Sequence, residues 1–322
     1  MSVSRVRSAV SAWNRFWFAP APTSTLALVR IALGLVVAAW GLSLAGDLFA
    51  FFGPHGIQPS PPRPLGSWGL LDLSDGDLAL GAIYASLLVG AGALAVGFHA
   101  RLAALVVFVC MVSLEREAPY VLNAGDHLLR ILVVYVMLAP SGAALSVDRW
   151  RAGQQVWTFP ERPQWGLRLM QLQLSFVYLA AVWAKARGVT WNDGTAISYA
   201  LRLTDLERFP APTLVTEVPA FANILTYATL GIELCLAVLV WNRRLRPWVL
   251  GLGVLLHLGI DWSLRVGFFT LAVLVMYLAF IPPERASSAI RRARHRVFAV
   301  TGRLSSRSVL AGGSTSRSDR RR

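Results

Sequence analysis

The chain of 322 residues has one lysine, Lys185, and two cysteines, Cys110 and Cys235, and charged side chains make up only 15% of it. Each scarcity excludes something. Two cysteines, each alone inside an apolar run, supply neither a disulfide framework nor the spacing of a zinc or redox motif. Soluble domains usually carry about 25% charged residues. A chain with 15% charged residues, 55% hydrophobic residues and a mean hydropathy of +0.54 is therefore neither an ordinary water-soluble globule nor a disordered polymer. Its composition fits a polytopic membrane protein.

A helix needs about 20 predominantly apolar residues to cross a bilayer. Segments of that kind lie near 24–46, 77–97, 100–118, 126–140, 166–186, 220–241, 246–263 and 265–282, the fourth and last being short. The expected fold class is all-α: a polytopic transmembrane helical bundle of about eight spans. Residues 1–19 read as an interfacial amphipathic helix, with Arg5, Arg7 and Arg15 beside Val6, Val10, Trp13, Phe16 and Trp17, rather than as a signal peptide. Residues 20–285 form the expected membrane domain, and 286–322 a basic tail, disordered from about Ala311.

The net charge of +14 is unevenly spread. With the N-terminus inside, the inner loops and termini carry Arg5, Arg7, Arg15, Arg101, Arg149, Arg151, Arg162, Arg243, Arg244, Arg246 and every arginine from Arg285 onward. Their acids are only Asp148, Glu161, Glu284 and Asp319. The opposite side gathers Asp47, Asp72, Asp75, Asp77, Glu115, Glu117, Asp126, Asp193, Asp205, Glu207, Glu217 and Asp261. Against these twelve acids stand Arg63, Arg116, Arg130, Arg187, Arg202, Arg208, Arg265 and Lys185; the excess of arginine on the first side predicts both termini in the cytoplasm and a multi-pass protein of the cell membrane. The expected partner of the basic segments is a bilayer with an anionic inner leaflet, and nucleic acid is not expected. Two outer loops are long. Residues 47–76 are rich in Pro and Gly; residues 187–218 hold a Trp191-Asn192-Asp193-Gly194 turn and an expected short helix at Thr195–Leu203.

Lys185 is the sole exception to a uniform use of arginine. Arginine stays protonated, whereas an enclosed lysine can release its proton and act as a base. Arg168, Gln171, Ser175, Tyr178, Val182 and Lys185 are spaced 3, 4, 3, 4 and 3 apart, which at about 100° per residue puts them on one helix stripe. A polar stripe on a membrane helix belongs in the bundle interior or a wet cavity. Two other readings of Lys185 stand beside that one: an amine that snorkels to the headgroups, and a structural ion pair. Other polar groups share its leaflet. Asn123, Asp126, His127 and Arg130 open the fourth span, where Asp126 and Arg130 are spaced to pair; His257 and Asp261 repeat that spacing in the seventh. Either histidine is also compatible with a plain core role, and no metal site is expected. Glu233 and Arg30 lie inside spans, as partners of each other, of the site, or as structural ties.

The run from Phe176 through Tyr178 to Lys185, followed by Trp191 to Gly194, resembles the horizontally transferred transmembrane (HTTM) family, related to the membrane domain of vitamin K-dependent gamma-carboxylase. Further stretches resemble it in order: Arg30 to Gly34, Phe52 to Pro59, Asn123 to Asp126, Leu145 to Arg149, and His257 through Gly267-Phe268 to Phe280-Ile281-Pro282-Pro283. The resemblance spans about residues 20–285. It implies that Lys185 is the base that deprotonates a reduced, vitamin K-like quinone, with His127 and Tyr178 as further catalytic candidates. Asn123, Asp126, Arg130, Gln171, Trp191, His257 and Asp261 are the candidates for binding a lipophilic small molecule. Because the chain ends about 40 residues after Pro283, without the carboxylase's soluble domain, carboxylation of protein glutamate is not expected. A non-catalytic assembly or immunity-type partner, and a transporter, are the alternatives to such an enzyme.

Overall fold

A computed structural model describes residues 3–57, 68–74 and 76–296. The first helix, α1 (Val3–Phe18), leads through a short strand, β1 (Pro20–Pro22), into α2 (Ser24–Ser43) and α3 (Leu48–Phe52). Helices α4 (Asp77–Val96), α5 (Ala100–Glu117) and α6 (Ala124–Leu138) follow, then α7 (Val147–Arg151), β2 (Glu161–Pro163) and α8 (Trp165–Lys185). The loop after α8 is folded into α9 (Val189–Asn192), α10 (Ala196–Ala200) and α11 (Thr213–Glu217). Beyond it come α12 (Pro219–Val238), α13 (Arg246–Ser263), α14 (Phe269–Leu278) and α15 (Pro283–Arg296).

Local chemistry sets these boundaries. Pro219 and Pro247 stand in the first turns of α12 and α13, where a missing N–H costs nothing. Asn123 caps α6 by accepting from the Gly125 N–H at 2.7 Å, while Asp126 accepts from the Asn123 N–H at 2.7 Å. Gly97 closes α4 at φ 72°, a left-handed conformation suited to glycine. The all-α expectation needs one small correction. Pro20–Pro22 and Glu161–Pro163 pair as a two-stranded antiparallel ribbon, with Ala21 opposite Arg162. Proline-rich backbone cannot continue a helix, and the ribbon ties the entry of α2 to the entry of α8.

Helices α2, α4, α5, α6 and α14 pack in a closed ring, each against the next; α8 lies against α6, α12 and α14, and α13 against α12 and α14. The core is built mainly from Leu, Val, Ala and Met, as in Leu33, Leu87, Met111, Leu132 and Met170. Small residues set the closest crossings. A Cβ on Gly34 would fall 2.5 Å from the Ala95 backbone nitrogen, so α2 and α4 meet there backbone to backbone. Large apolar side chains such as Leu35, Leu78, Val89, Phe176, Trp183 and Leu255 lie on the outside. An apolar exterior of this extent is what a bilayer solvates.

By length and composition, four helices among the described residues are able to cross a membrane: Ser24–Ser43, Asp77–Val96, Trp165–Lys185 and Pro219–Trp241. A fifth arises if α14 and α15, bent by 99° at their junction, count together. The expected third, fourth and seventh spans are the helices α5, α6 and α13, which are shorter or carry more charge: α6 has 15 residues, and α5 contains Arg101, Glu115, Arg116 and Glu117. The expected span over 265–282 differs most. Only Phe269–Leu278 is α-helical, about 15 Å of rise. Gly267 at φ 60° precedes it and Pro282–Pro283 follow, so an apolar composition there does not yield a full helix. The N-terminal helix and the short helix after Gly194 occur within a few residues of expectation. Pro59 and most of the proline-rich stretch after it, and the tail from 297, lie outside the described residues.

Candidate functional site

The stripe on α8 is realised, and every polar member has its own partner on a neighbouring helix. Arg168 donates to the Phe16 carbonyl (3.1 Å) and to Gln171 Oε1 (2.8 Å), and Gln171 Nε2 donates to the Ala279 carbonyl (2.7 Å). Ser175 Oγ donates to the Ala237 carbonyl and accepts from Trp241 Nε1, both at 2.8 Å. These bonds zip α8 to α12 and α14. Toward the other end of α8 the contacts turn from structural ties to ionisable groups.

Lys185 Nζ donates to Glu233 Oε1 of α12. The meeting follows from helix geometry. Ser175 touches Ala237 and Lys185 touches Glu233, so α8 and α12 run antiparallel. By that register Lys185 lies roughly 9 Å farther along α8 than the level of Glu233, at 1.5 Å per residue. Side chains lean toward the N-terminus of their own helix. The lysine stem therefore runs back into the bundle while the glutamate reaches out to meet it. The Lys185 side chain is 23% exposed and that of Glu233 8%. Trp191, after the α8 turn, places its ring 5.0 Å from the ammonium and covers the remaining side. Snorkelling to the headgroups would require the opposite course of the stem.

Two turns deeper, Tyr178 Oη lies 2.7 Å from His257 Nε2 and 2.6 Å from Tyr277 Oη. All three residues are buried. The chain runs imidazole–phenol–phenol with Tyr178 at its centre, and the charges of Glu233 and Lys185 lie near enough to act on it, so it and the ion pair form one unit. Two buried atoms in this unit have no hydrogen-bond partner: Glu233 Oε2 and His257 Nδ1. Buried polar atoms are nearly always satisfied, so such orphans mark places where a ligand, water or transferred proton belongs. Gly253 makes room for the chain: a Cβ there would fall 2.4 Å from the Tyr277 hydroxyl.

A family model, the HTTM domain, matches residues 75–284. The chain belongs to the HTTM family. No curated protein and no solved structure matches it. The HTTM match and the apolar helices together make this a transmembrane protein, and Lys185, Glu233, Tyr178, His257 and Tyr277 all fall inside the matched domain.

The remaining candidates lie in other arrangements. His127 and Arg130 of the HTTM domain both meet Glu115 of α5: Arg130 through Nη1, His127 through Nδ1 at 3.4 Å. The expected Asp126–Arg130 pair is thus replaced by Glu115–Arg130. Asp126 instead completes the α6 cap. His127 has its polar contact at Glu115 and none with Lys185. Asn123 caps α6 and lies beside Gly267. Asp261 pairs with Arg208 Nη1 at 2.9 Å, not with His257, because the loop before α11 is latched to the end of α13 by the Glu207–Leu264 bridge. Among the described residues no three His, Cys, Asp or Glu side chains stand together as a metal site requires.

Arg30 and Glu233 are not partners. The Arg30 guanidinium is fully buried and donates to the carbonyls of Ser141 (2.8 Å), Ala144 (3.0 Å), Leu145 (2.6 Å) and Ala95 (3.4 Å). It is a clamp on the turn after α6, lodged against Gly97, where a Cβ would sit 2.8 Å from it. Two residues escape a sequence reading: Tyr277, an aromatic in an apolar run, and Glu115, whose only signal is an acid one turn inside the end of a membrane helix.

Proposed function

We propose that this HTTM protein crosses the membrane eight times with both termini cytoplasmic, and that Lys185 moves a proton for a hydroxyl-bearing, quinol-like lipid near the outer leaflet. The proposal reads α5, α6, α13 and the α14 segment as spans and rests its orientation on the arginine asymmetry. The observation that carries the chemistry is the unpartnered Oε2 of Glu233, beside the only lysine. An amine becomes a base only after an ammonium proton has left, and Glu233, with one oxygen on Lys185 and one free, is the group able to take it. The neutral amine then accepts a phenolic proton: the substrate O–H breaks, an N–H forms, and a phenolate stands beside the new ammonium. Tyr178 and His257 hold further exchangeable protons within hydrogen-bond reach of each other.

A quinol is compatible with the residues present. The orphaned Glu233 Oε2 and His257 Nδ1 are an acceptor and a ring nitrogen of either role, suited to hydroxyl and carbonyl oxygens of a planar apolar molecule. The test is a reduced naphthoquinone added to the protein in lipid nanodiscs, read by the absorbance of its quinolate. Lys185→Arg keeps the charge and the pairing with Glu233 but cannot release a proton. The expected result is quinol binding and thermal stability near wild type with the quinolate signal lost. An undiminished signal in Lys185→Arg sinks the proposal. The Lys185–Glu233 pair would then support the second reading, a non-catalytic membrane protein whose helices this pair holds in register.

A further inference from the structure

At the end of the bundle where α8 begins and α12 and α14 finish, guanidinium groups converge without an acid. Arg168 lies 4.8 Å over the ring of Phe16. Arg246, which opens α13, lies 5.5 Å over Phe280 and donates to the carbonyls of Val240 (3.0 Å) and Phe280 (3.3 Å). Trp241 joins the two halves, its ring 6.0 Å from Phe16 and 5.8 Å from Phe280. Arg243 and Arg285 adjoin the cluster along the chain, Arg243 two residues after Trp241 and Arg285 five after Phe280, close enough for their charges to act on Arg246.

Among the described residues, the carboxylates in ion pairs are engaged elsewhere: Glu115 with Arg130 and His127, Glu233 with Lys185, Asp261 with Arg208. Glu284, next to Arg285 in sequence, makes no ion pair. Among the described residues no carboxylate partners any of the four arginines. The backbone carbonyls take Nε and Nη1 of Arg246; among the described residues its Nη2 and the side chains of Arg243 and Arg285 have no hydrogen-bond partner. Four repelling cations with unused, fork-shaped donors, two of them half-buried against aromatic rings, are matched by a multiply accepting anion.

We propose that this cluster binds a phosphate group, and that its source is the headgroup of an anionic glycerophospholipid. Leu245 and Trp248 flank the cluster on the first turn of α13 with their side chains exposed, giving acyl chains an apolar track directly beside the arginines. Trp241 supplies the aromatic ring usual at headgroup depth. The site rests on the proposed membrane crossing of α8, α12 and α13, and is independent of any proton transfer at Lys185. It sits in the loops that the arginine asymmetry places inside, where anionic lipid is richest.

The test titrates the detergent-purified full chain with short-chain phosphatidylglycerol, with phosphatidylcholine and with inorganic phosphate, reading affinity by native mass spectrometry. The variant is Arg243→Gln/Arg285→Gln, two exposed residues without structural hydrogen bonds. Its control is Arg5→Gln/Arg7→Gln, which removes the same charge from α1. Phosphatidylglycerol is expected to bind more tightly than phosphatidylcholine. Loss of two arginines is expected to weaken it about 25-fold, at roughly 5-fold each, with the control changing it less than about 3-fold. Displacement of the lipid by inorganic phosphate at equal concentration, lost in the variant, keeps the phosphate site but assigns it to a free anion. Equal weakening by both double variants, or equal affinity for the zwitterionic lipid, overturns the site. Recovery of the chain from the soluble fraction of cells would instead overturn the membrane crossing on which it rests.

Discussion

Replacing Lys185 by Met removes one member of a pair whose other member, Glu233, keeps only 8% of its side chain exposed. Stranding a buried charge in this way costs about 3–5 kcal/mol. The Lys185 side chain is itself 23% exposed, so the lower end of that range, about 3 kcal/mol, is expected. The orphan already present at Glu233 Oε2 adds to the effect, because the carboxylate would then have no partner on either oxygen. Substituting both residues, as Lys185→Met with Glu233→Leu, removes the stranded charge and is expected to return stability to wild type or to exceed it by about 1–4 kcal/mol. A double-mutant cycle measured by reversible denaturant unfolding in mixed micelles gives the coupling directly. The reasoning is refuted if Lys185→Met lies within about 0.5 kcal/mol of wild type and the two substitutions add without coupling.

Three further outcomes follow from the packing. Arg30→Lys replaces a planar fork that serves four carbonyls by three donors on a flexible stem, and is expected to destabilise by about 2–3 kcal/mol, seen as a lower midpoint in the same unfolding assay. Gly34→Ala drives a methyl into the Ala95 backbone and should cost about 1–3 kcal/mol, whereas Gly81→Ala, with nothing within 4 Å, should be silent in thermal scans. Tyr277→Phe deletes one hydrogen bond to Tyr178 and is expected to cost about 1 kcal/mol and to alter the Tyr178 hydroxyl vibration in isotope-edited infrared spectra, while leaving the Lys185–Glu233 coupling intact.

Much of the bundle was legible because helical periodicity is a one-dimensional signal. The α8 stripe could be drawn from spacing alone, and its members do face their neighbours as a helix of 3.6 residues per turn requires. What spacing cannot supply is the register between helices. Lys185 and Glu233 are 48 residues apart, and only the antiparallel fit of α8 on α12 brings the two together. Within α6 the i, i+4 rule pointed Arg130 at Asp126, but the α6 cap had a prior claim on Asp126 and Glu115 stood across the α5–α6 interface. The partners of Arg30 are backbone carbonyls, which leave no trace in residue identity. At 265–282 the apolar composition could not show where the helix breaks: Gly267 and Pro282–Pro283 leave only Phe269–Leu278 as α-helix.

The central claim is that one enclosed amine, coupled to Glu233, can exchange its proton. Because Lys185 is the only lysine, selective ¹⁵N-lysine labelling gives one Nζ signal, assignable without mutation. In nanodiscs that signal is expected to change its chemical shift when Glu233 is changed to Gln and again when reduced naphthoquinone is added. One Nζ signal at the same position in all three samples would contradict it.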